Sequence, residues 1–455
     1  MCTPRFRRGH GAGAVALAAL FLLVACGGTG NNAGGAAEAD TGEYVVERST
    51  AEGIETVRTV SGSRWGGAPR LVEELAIGEE VGDDAYLFGA ISDAWDTGER
   101  IYVVDMQVPV VRAYDERGRF LHQVGGVGQG PGEYNRPVGI AVTEDGRVLV
   151  TDLEGARLNV FGPDGEHVDD WGLGSPQAAL GLLLADNGDI YTRVIELPDR
   201  MGSGPVEIKE GMQQVGSEGH VGEPIYPPDL EWEPPTVQVD VGNNSMQMAI
   251  LPFTPRVQWD LAPGGQVITG VGNEYRFEIH SPDGGVKMVE KAWEPVRVNP
   301  DERGFRAEMA VNNIKQMAPD FRIPESDVPA TKPAFIDLTP DRSGRVWVRR
   351  QGPSEPDPDC REAEGGAGMA IMIGGTGGTT VRMDPGADPE MDLDCWRNTY
   401  MFDVFDVATG EFLGTVPAPE PGFTQIRFAD GDTVLASVTD EVGTVRLKKY
   451  RLVID

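Results

Sequence analysis

The stretch GQGPGEYNRPVGIAVTEDGRVLVTD, residues 128–152, decides the fold. A Gly/Pro-rich bend and a proline lead into an apolar run, then Asp145-Gly146, then a second apolar run. Two β-prone runs joined by Asp-Gly form a hairpin, because such turns need positive φ and glycine adopts it without steric cost.

The same punctuation occurs six times, in ISDAWDTGERIYVVD at Gly98, IAVTEDGRVLVTD at Gly146, LLLADNGDIYTR at Gly188, VQWDLAPGGQVITG at Gly265, FIDLTPDRSGRVWVRR at Gly344 and IRFADGDTVLASV at Gly431. Five copies are followed by a second hairpin signal, at Gly118, Gly165, Gly219, Gly284 and Gly410. The paired glycines lie 20, 19, 31, 19 and 66 residues apart, which describes a repeated four-stranded unit A-B-C-D with two insertions. The sixth unit has A, B and the strand VRLKKYRLVID before the chain ends, so RLVEELAIG at 70–78 is expected to supply its fourth strand. Closure from both ends removes open sheet edges. The expected fold is all-β: a six-bladed β-propeller of four-stranded antiparallel blades, with one short helix in a D-A connection.

The run GPGEYNRPVGIAVTEDGRVLVTD is similar to the NHL repeat, and over about residues 68–455 the chain resembles the six-bladed propeller lipoproteins of bacteria. NHL motifs are clearest in unit 2. The resemblance implies the fold; function stays open, because such propellers include binding modules and enzymes.

The N-terminus is read separately. Arg5, Arg7 and Arg8 precede an uncharged apolar run from about Gly11 to Ala25, too short to span a bilayer comfortably, so residues 1–25 are expected to be a signal peptide. Leu23-Val24-Ala25-Cys26 resembles the bacterial lipobox, which implies cleavage before Cys26 and a lipid on that residue, anchoring the chain without a spanning helix. The non-acidic Gly27 resembles outer-membrane sorting signals, so the expected location is the cell envelope, facing periplasm or exterior. Residues 26–67 are expected to form a flexible tether and N-terminal extension, with GGTGNNAGGAAEADTG offering little side chain to bury. Residues 68–455 are expected to form the six-bladed propeller, closed by an N-terminal strand.

An exported compartment permits disulfides, and Cys360 and Cys395 are expected to pair. Two cysteines without nearby histidine cannot supply a zinc site. With 40% hydrophobic and 24% charged residues the composition is that of a folded globular protein. The net charge of -33, becoming -36 when the three signal arginines are removed, repels phosphate backbones and disfavours nucleic acid.

Strand alternation puts the B-C and D-A connections on one face, and the excess length falls there, at about 194–211, 228–254, 299–331 and 351–398. Long connections over a rigid scaffold are where binding residues concentrate. One of them carries a helix signature: Asn299 as cap, Pro300 first, Asp301 and Glu302 in the first turn, then Phe305, Met309, Ile314 and Met317 at helical spacing. That helix is expected across the funnel mouth. The acidic segment holding both cysteines offers Asp357, Asp359, Glu362, Asp392 and Asp394, which makes Ca²⁺ a candidate ion, with a solvated acidic loop as the alternative.

No hydrolase elbow, zincin, phosphate-loop or dinucleotide motif occurs. His122, His167, His220 and His280 all lie beside C-D turns, on outer strands. Six-bladed lyases and lactonases resembling this fold carry metal ligands near the axis, so a histidine-bound central metal is disfavoured. Asn135, Asp105 and Asp152 at blade connections leave a carboxylate site open.

Prolines recur where A strands begin, at Pro137, Pro176, Pro255, Pro333 and Pro421. Beside them lie Arg136, Arg256 and Lys332, with Arg193, Arg349 and Arg350 at the ends of B strands on the same face. These cations are the candidate ligand-binding set, able to cradle a carboxylate or phosphate. The expected function is a non-catalytic module binding a protein or small anionic ligand through the long-loop face. The alternative is a metal-dependent, lactonase-like hydrolase or lyase with its site in the central funnel.

Overall fold

A computed structural model describes residues 42–175, 178–196, 209–240, 246–315, 320–357 and 395–454. Within them the chain forms six antiparallel blades around an axis. Blade 1 comprises Ile91–Asp96, Arg100–Asp105, Val110–Asp115 and Phe120–Val124 as strands A to D. Blade 2 follows with Pro137–Val142, Val148–Asp152, Arg157–Phe161 and His167–Gly172, and blade 3 with Leu182–Leu184, Ile190–Glu196, Lys209–Gly216 and Gly219–Ile225. Blade 4 holds Val257–Leu261, Val267–Val271, Arg276–His280 and Val286–Lys291; blade 5 holds Asp337–Pro340, Arg345–Pro356, Trp396–Asp406 and Phe412–Pro417.

Blade 6 is closed as the repeat count requires. Phe423–Asp430, Thr433–Thr439 and Val445–Val453 are completed by Arg70–Ile77, which pairs antiparallel from Arg70↔Val453 to Ile77↔Leu447. The eleven turn glycines picked out by the repeat all adopt positive φ, from Gly431 at 55° to Gly219 at 96°. Local turn chemistry therefore sets the punctuation of the whole ring.

Apolar layers between neighbouring blades form the core. One seam is thin: between blades 3 and 4 only Met212, Leu261 and Val267 form the buried cluster. Leu183, Tyr191, Ile225 and Trp259 pack half-buried against it, and a polar pair also spans the seam, Arg193 of blade 3 reaching Asp260 of blade 4 at 3.0 Å.

The N-terminal extension carries more order than its composition suggests. Val45–Ala51 and Ile54–Ser61 form a hairpin whose second strand runs parallel to strand D of blade 4, making a six-stranded sheet. Arg48 bridges Glu55 and Glu411, each at 2.8 Å, and Trp65 N donates to Leu413 O, so the segment straps blade 4 to blade 5 before closing blade 6.

On the long-loop face, strands Thr236–Asp240 and Met246–Ile250 pair as a hairpin, and the predicted helix spans Pro300–Lys315. Asn299 caps it: its side chain accepts from Asp301 N at 2.9 Å and its carbonyl from Arg303 N at 2.9 Å. The buried stripe is Ala307 and Val311, while Phe305 and Met309 are half-buried and Met317 lies outside the described residues. This stripe packs with Val239, Leu251, Ile323 and Val328 into a separate small core. Hairpin and helix thus form one crown with its own apolar interior; the helix was expected across the funnel mouth, and among the described residues it lines neither of the two cavities that run along the axis.

The prolines also need correction. Only Pro137 opens an A strand; Pro255, Pro333 and Pro421 lie in the lead-in, and Pro176 lies outside the described residues.

Candidate functional site

The six A strands line the axis, and two connected cavities of about 310 and 320 Å³ run along it. They share Arg193, Asp260, Gln425 and Ile426. The outer one lies at the loop-face ends of its strands: Val257–Leu261 and Asp337–Pro340 begin there, and Arg193 and Glu210 flank the B-C connection of blade 3.

At this mouth one guanidinium holds two carboxylates. Arg193 pairs with Glu210 and with Asp260 and lies over the Trp259 ring, 5.2 Å from its centroid. Burial alone would lower the Arg193 pKa, but Asp260, Glu210 and Asp337 outweigh it and the value is raised. Burial raises the Asp260 carboxyl above its ordinary range; Arg193 opposes this, and the like charges of Asp337 and Glu210 add to it. Asp337 has its own cation, Arg349 Nε at 3.7 Å. The mouth is therefore close to charge-compensated.

Deeper in the channel, Asp93 accepts from Ala94 N at 2.8 Å and from Ile140 N of blade 2 at 2.9 Å. Burial lifts its pKa to about 7, although those two N–H groups and Arg427 favour the carboxylate.

A regularity in the sequence marks this site. Asp93, Asp260 and Asp337 occupy the A strands of units 1, 4 and 5, five to seven residues before the turn glycine. Each carboxylate accepts the N–H of the following residue, at 2.8, 2.8 and 2.9 Å. Reading only cations at strand ends missed them; a recurring acid at one strand position is the signal that finds them.

The expected cations do not assemble into a bare cradle. Arg193 and Arg349 flank Asp337, but Arg136, Arg256 and Lys332 line neither cavity. Arg256 is exposed, with no ion pair among the described residues. Arg136 is half-buried near strand B of blade 2, where its backbone N–H donates to Asp152 at 3.0 Å. Arg350 binds the fully buried Asp403 at 2.9 Å in a hub that Lys291, Thr415 and Tyr275 complete. Lys332 is buried under the crown: its ammonium donates to Gly352 O at 2.9 Å, Asn398 Oδ1 at 2.9 Å and Ser354 Oγ, and lies 3.7 Å from Glu302 of the helix. Burial lowers its pKa to about 8 against the pull of Glu302.

Asp105 is structural, accepting N–H groups of Gly89, Ala90, Gln107 and Val108 at 2.7–3.0 Å. His122, His167 and His220 lie on D strands and His280 on a C strand, away from the axis. Among the described residues no group of three or more His, Cys, Asp or Glu could hold a metal ion, and no helix is long and apolar enough to cross a membrane. Cys26, Cys360, Asp359, Glu362, Asp392 and Asp394 lie outside the described residues.

A family model agrees with the fold. Residues 81–169 match the DUF5128 family, described as a 6-bladed beta-propeller. No curated protein matches the chain. Among solved structures it is similar to a member of the duf4221 family from Bacteroides vulgatus, at 11% identity and TM-score 0.48, covering 85% of this chain and 99% of that one. It is also similar to a protein of unknown function from Dyadobacter fermentans, at 10%, 0.40, 85% and 99%. The virginiamycin B lyase of Staphylococcus aureus is similar at 9%, 0.37, 85% and 100%.

Proposed function

We propose that this six-bladed propeller is a non-catalytic binding module that engages its ligand or partner through the long-loop face, held at the cell envelope by a lipid on Cys26. One observation carries the reading. The long-loop face bears a built superstructure, the crown, with a core of Val239, Leu251, Ala307, Val311, Ile323 and Val328 and a fully buried Lys332–Glu302 pair beneath it. The A-B and C-D links opposite are tight glycine turns. Among the described residues, ordered structure is added on the face where the outer, polar cavity lies, which suits recognition there.

The NHL-like lipoprotein resemblance supports the anchor, and the disulfide between Cys360 and Cys395 belongs to the same proposal, closing the acidic connection of blade 5. Intact-mass analysis of membrane-extracted protein is expected to show diacylglyceryl-type modification at Cys26 and a mass two hydrogens below the free dithiol. The binding role is tested by capture from membranes with the full lipidated chain, followed by hydrogen-exchange footprinting of the complex. Protection is expected on residues 236–250 and 300–315. Protection confined to the opposite turns, around Gly98, Gly146 and Gly265, would refute the reading. A stoichiometric divalent metal in the funnel with accompanying turnover would favour the metal-dependent hydrolase or lyase instead.

A further inference from the structure

The funnel mouth has a chemistry of its own. Its lining is mostly polar, so an apolar ligand finds little to bury against. Its charges already have partners, since Arg193 answers Glu210 and Asp260 while Arg349 answers Asp337. An anion would meet three carboxylates around a guanidinium already committed to two of them.

The unspent groups are planar and fixed. Asp260 spends Oδ1 on Arg193 and Leu261 N, and Glu210 spends Oε1 on Arg193; among the described residues Asp260 Oδ2 and Glu210 Oε2 accept no hydrogen bond. The side-chain amides of Gln258 and Gln425, also in the lining, have no hydrogen bond among the described residues and offer donors beside those acceptors. The ion pairs hold the carboxylates in place, so their free lone pairs are preorganised. Trp259, half-buried with Arg193 over its ring, is the one aromatic side chain in the lining of the outer cavity and supplies its partly exposed apolar surface.

A ligand that uses such a lining must donate and accept at many points, carry no net charge and present a small apolar face. We propose that the funnel mouth binds a neutral saccharide, one whose hydroxyls bridge Asp260, Glu210, Gln258 and Gln425 while a ring face meets Trp259. A cavity of about 310 Å³ suits one or two sugar rings. The proposal rests on the loop-face reading and supplies its ligand class.

The test is calorimetric titration of the full chain in detergent with neutral mono- and disaccharides of hexoses, pentoses and N-acetylhexosamines, with gluconate and spermidine as charged probes. At least one neutral saccharide is expected to bind at one site per chain, to alter tryptophan fluorescence, and to bind within twofold at 50 and 500 mM salt. Asp260→Asn and Gln425→Ala are each expected to weaken it about tenfold; Gln425 makes no side-chain hydrogen bond among the described residues, so that variant leaves the fold intact. Failure of every neutral saccharide, binding of gluconate or spermidine alone, or wild-type affinity in Gln425→Ala would overturn the proposal. Crown protection in the membrane-capture experiment would then still stand, which separates the two readings.

Discussion

Lys332 and Arg193 enter on the same sequence argument, as cations at the loop-face ends of strands, and finish in opposite roles. All three ammonium hydrogens of Lys332 are taken up inside the protein, by Gly352, Ser354 and Asn398, and its side chain has no exposure. Arg193 keeps a quarter of its side chain exposed and holds two carboxylates that line a cavity and whose second oxygens accept no hydrogen bond among the described residues. A buried cation with every donor spent is a staple, whereas a half-buried one that fixes half-spent acceptors builds a surface for something else. Burial and hydrogen-bond accounting, rather than charge, separate the two.

The largest effect should come from the staple. Lys332→Met leaves Glu302 buried without its cation, and loss of about 3–5 kcal/mol is expected from the urea unfolding midpoint of the full chain. The double variant Lys332→Met, Glu302→Gln should recover much of that, because the uncompensated charge is gone. Equal instability in the double variant would break the comparison.

The hub of blades 4 and 5 is a second staple. Burial opposes ionisation of Asp403, but Arg350 and Lys291, with hydrogen bonds from Thr415 and Tyr275, hold its pKa at about 2. A folded value below the unfolded one, near ~3.9, stabilises the fold above pH 4, and this contribution is lost as pH falls toward 2. Asp403→Asn should cost about 2–3 kcal/mol at neutral pH and flatten that acid limb.

In the channel the sign reverses. Asp93, with its pKa raised to about 7, contributes stability that is complete below its unfolded value and lost as pH rises through 7. Asp93→Asn should therefore gain roughly 1–2 kcal/mol on the wild type at pH 8 relative to pH 4, read from paired denaturation curves. Parallel curves at both pH values would place Asp93 with the inert positions. The smallest effect belongs to exposed Arg256: Arg256→Ala should shift stability by no more than about 0.5 kcal/mol.

Much of the fold was legible because its signals are local. Positive-φ turns need glycine wherever the hairpin sits, so Gly98, Gly146 and Gly265 announce their blades without reference to the rest of the chain. The helix start was legible for the same reason, as Asn299 and Pro300 act within one turn. Its packing face was not, because the stripe is chosen by a hairpin some 60 residues earlier, and Ala307 with Val311 offers a flatter contact than Phe305 with Met309. The site was half legible. Lys332 beside Pro333 and Arg256 beside Pro255 look alike in sequence, yet one is buried and the other exposed. The recurring Asp93, Asp260 and Asp337 were visible but uninformative until their strands were known to face a common axis.

By itself the sequence determined the number of blades, the closing strand at 70–78 and the face that receives the insertions, since turn chemistry and alternating strand direction act over a few residues. Tertiary structure alone decided that the hairpin 45–61 lies parallel to Val286–Lys291 and that a polar pair spans the seam between blades 3 and 4. It also decided which cations are spent as staples. Those outcomes depend on contacts between groups far apart along the chain, whose burial and partners exist only once the ring has closed.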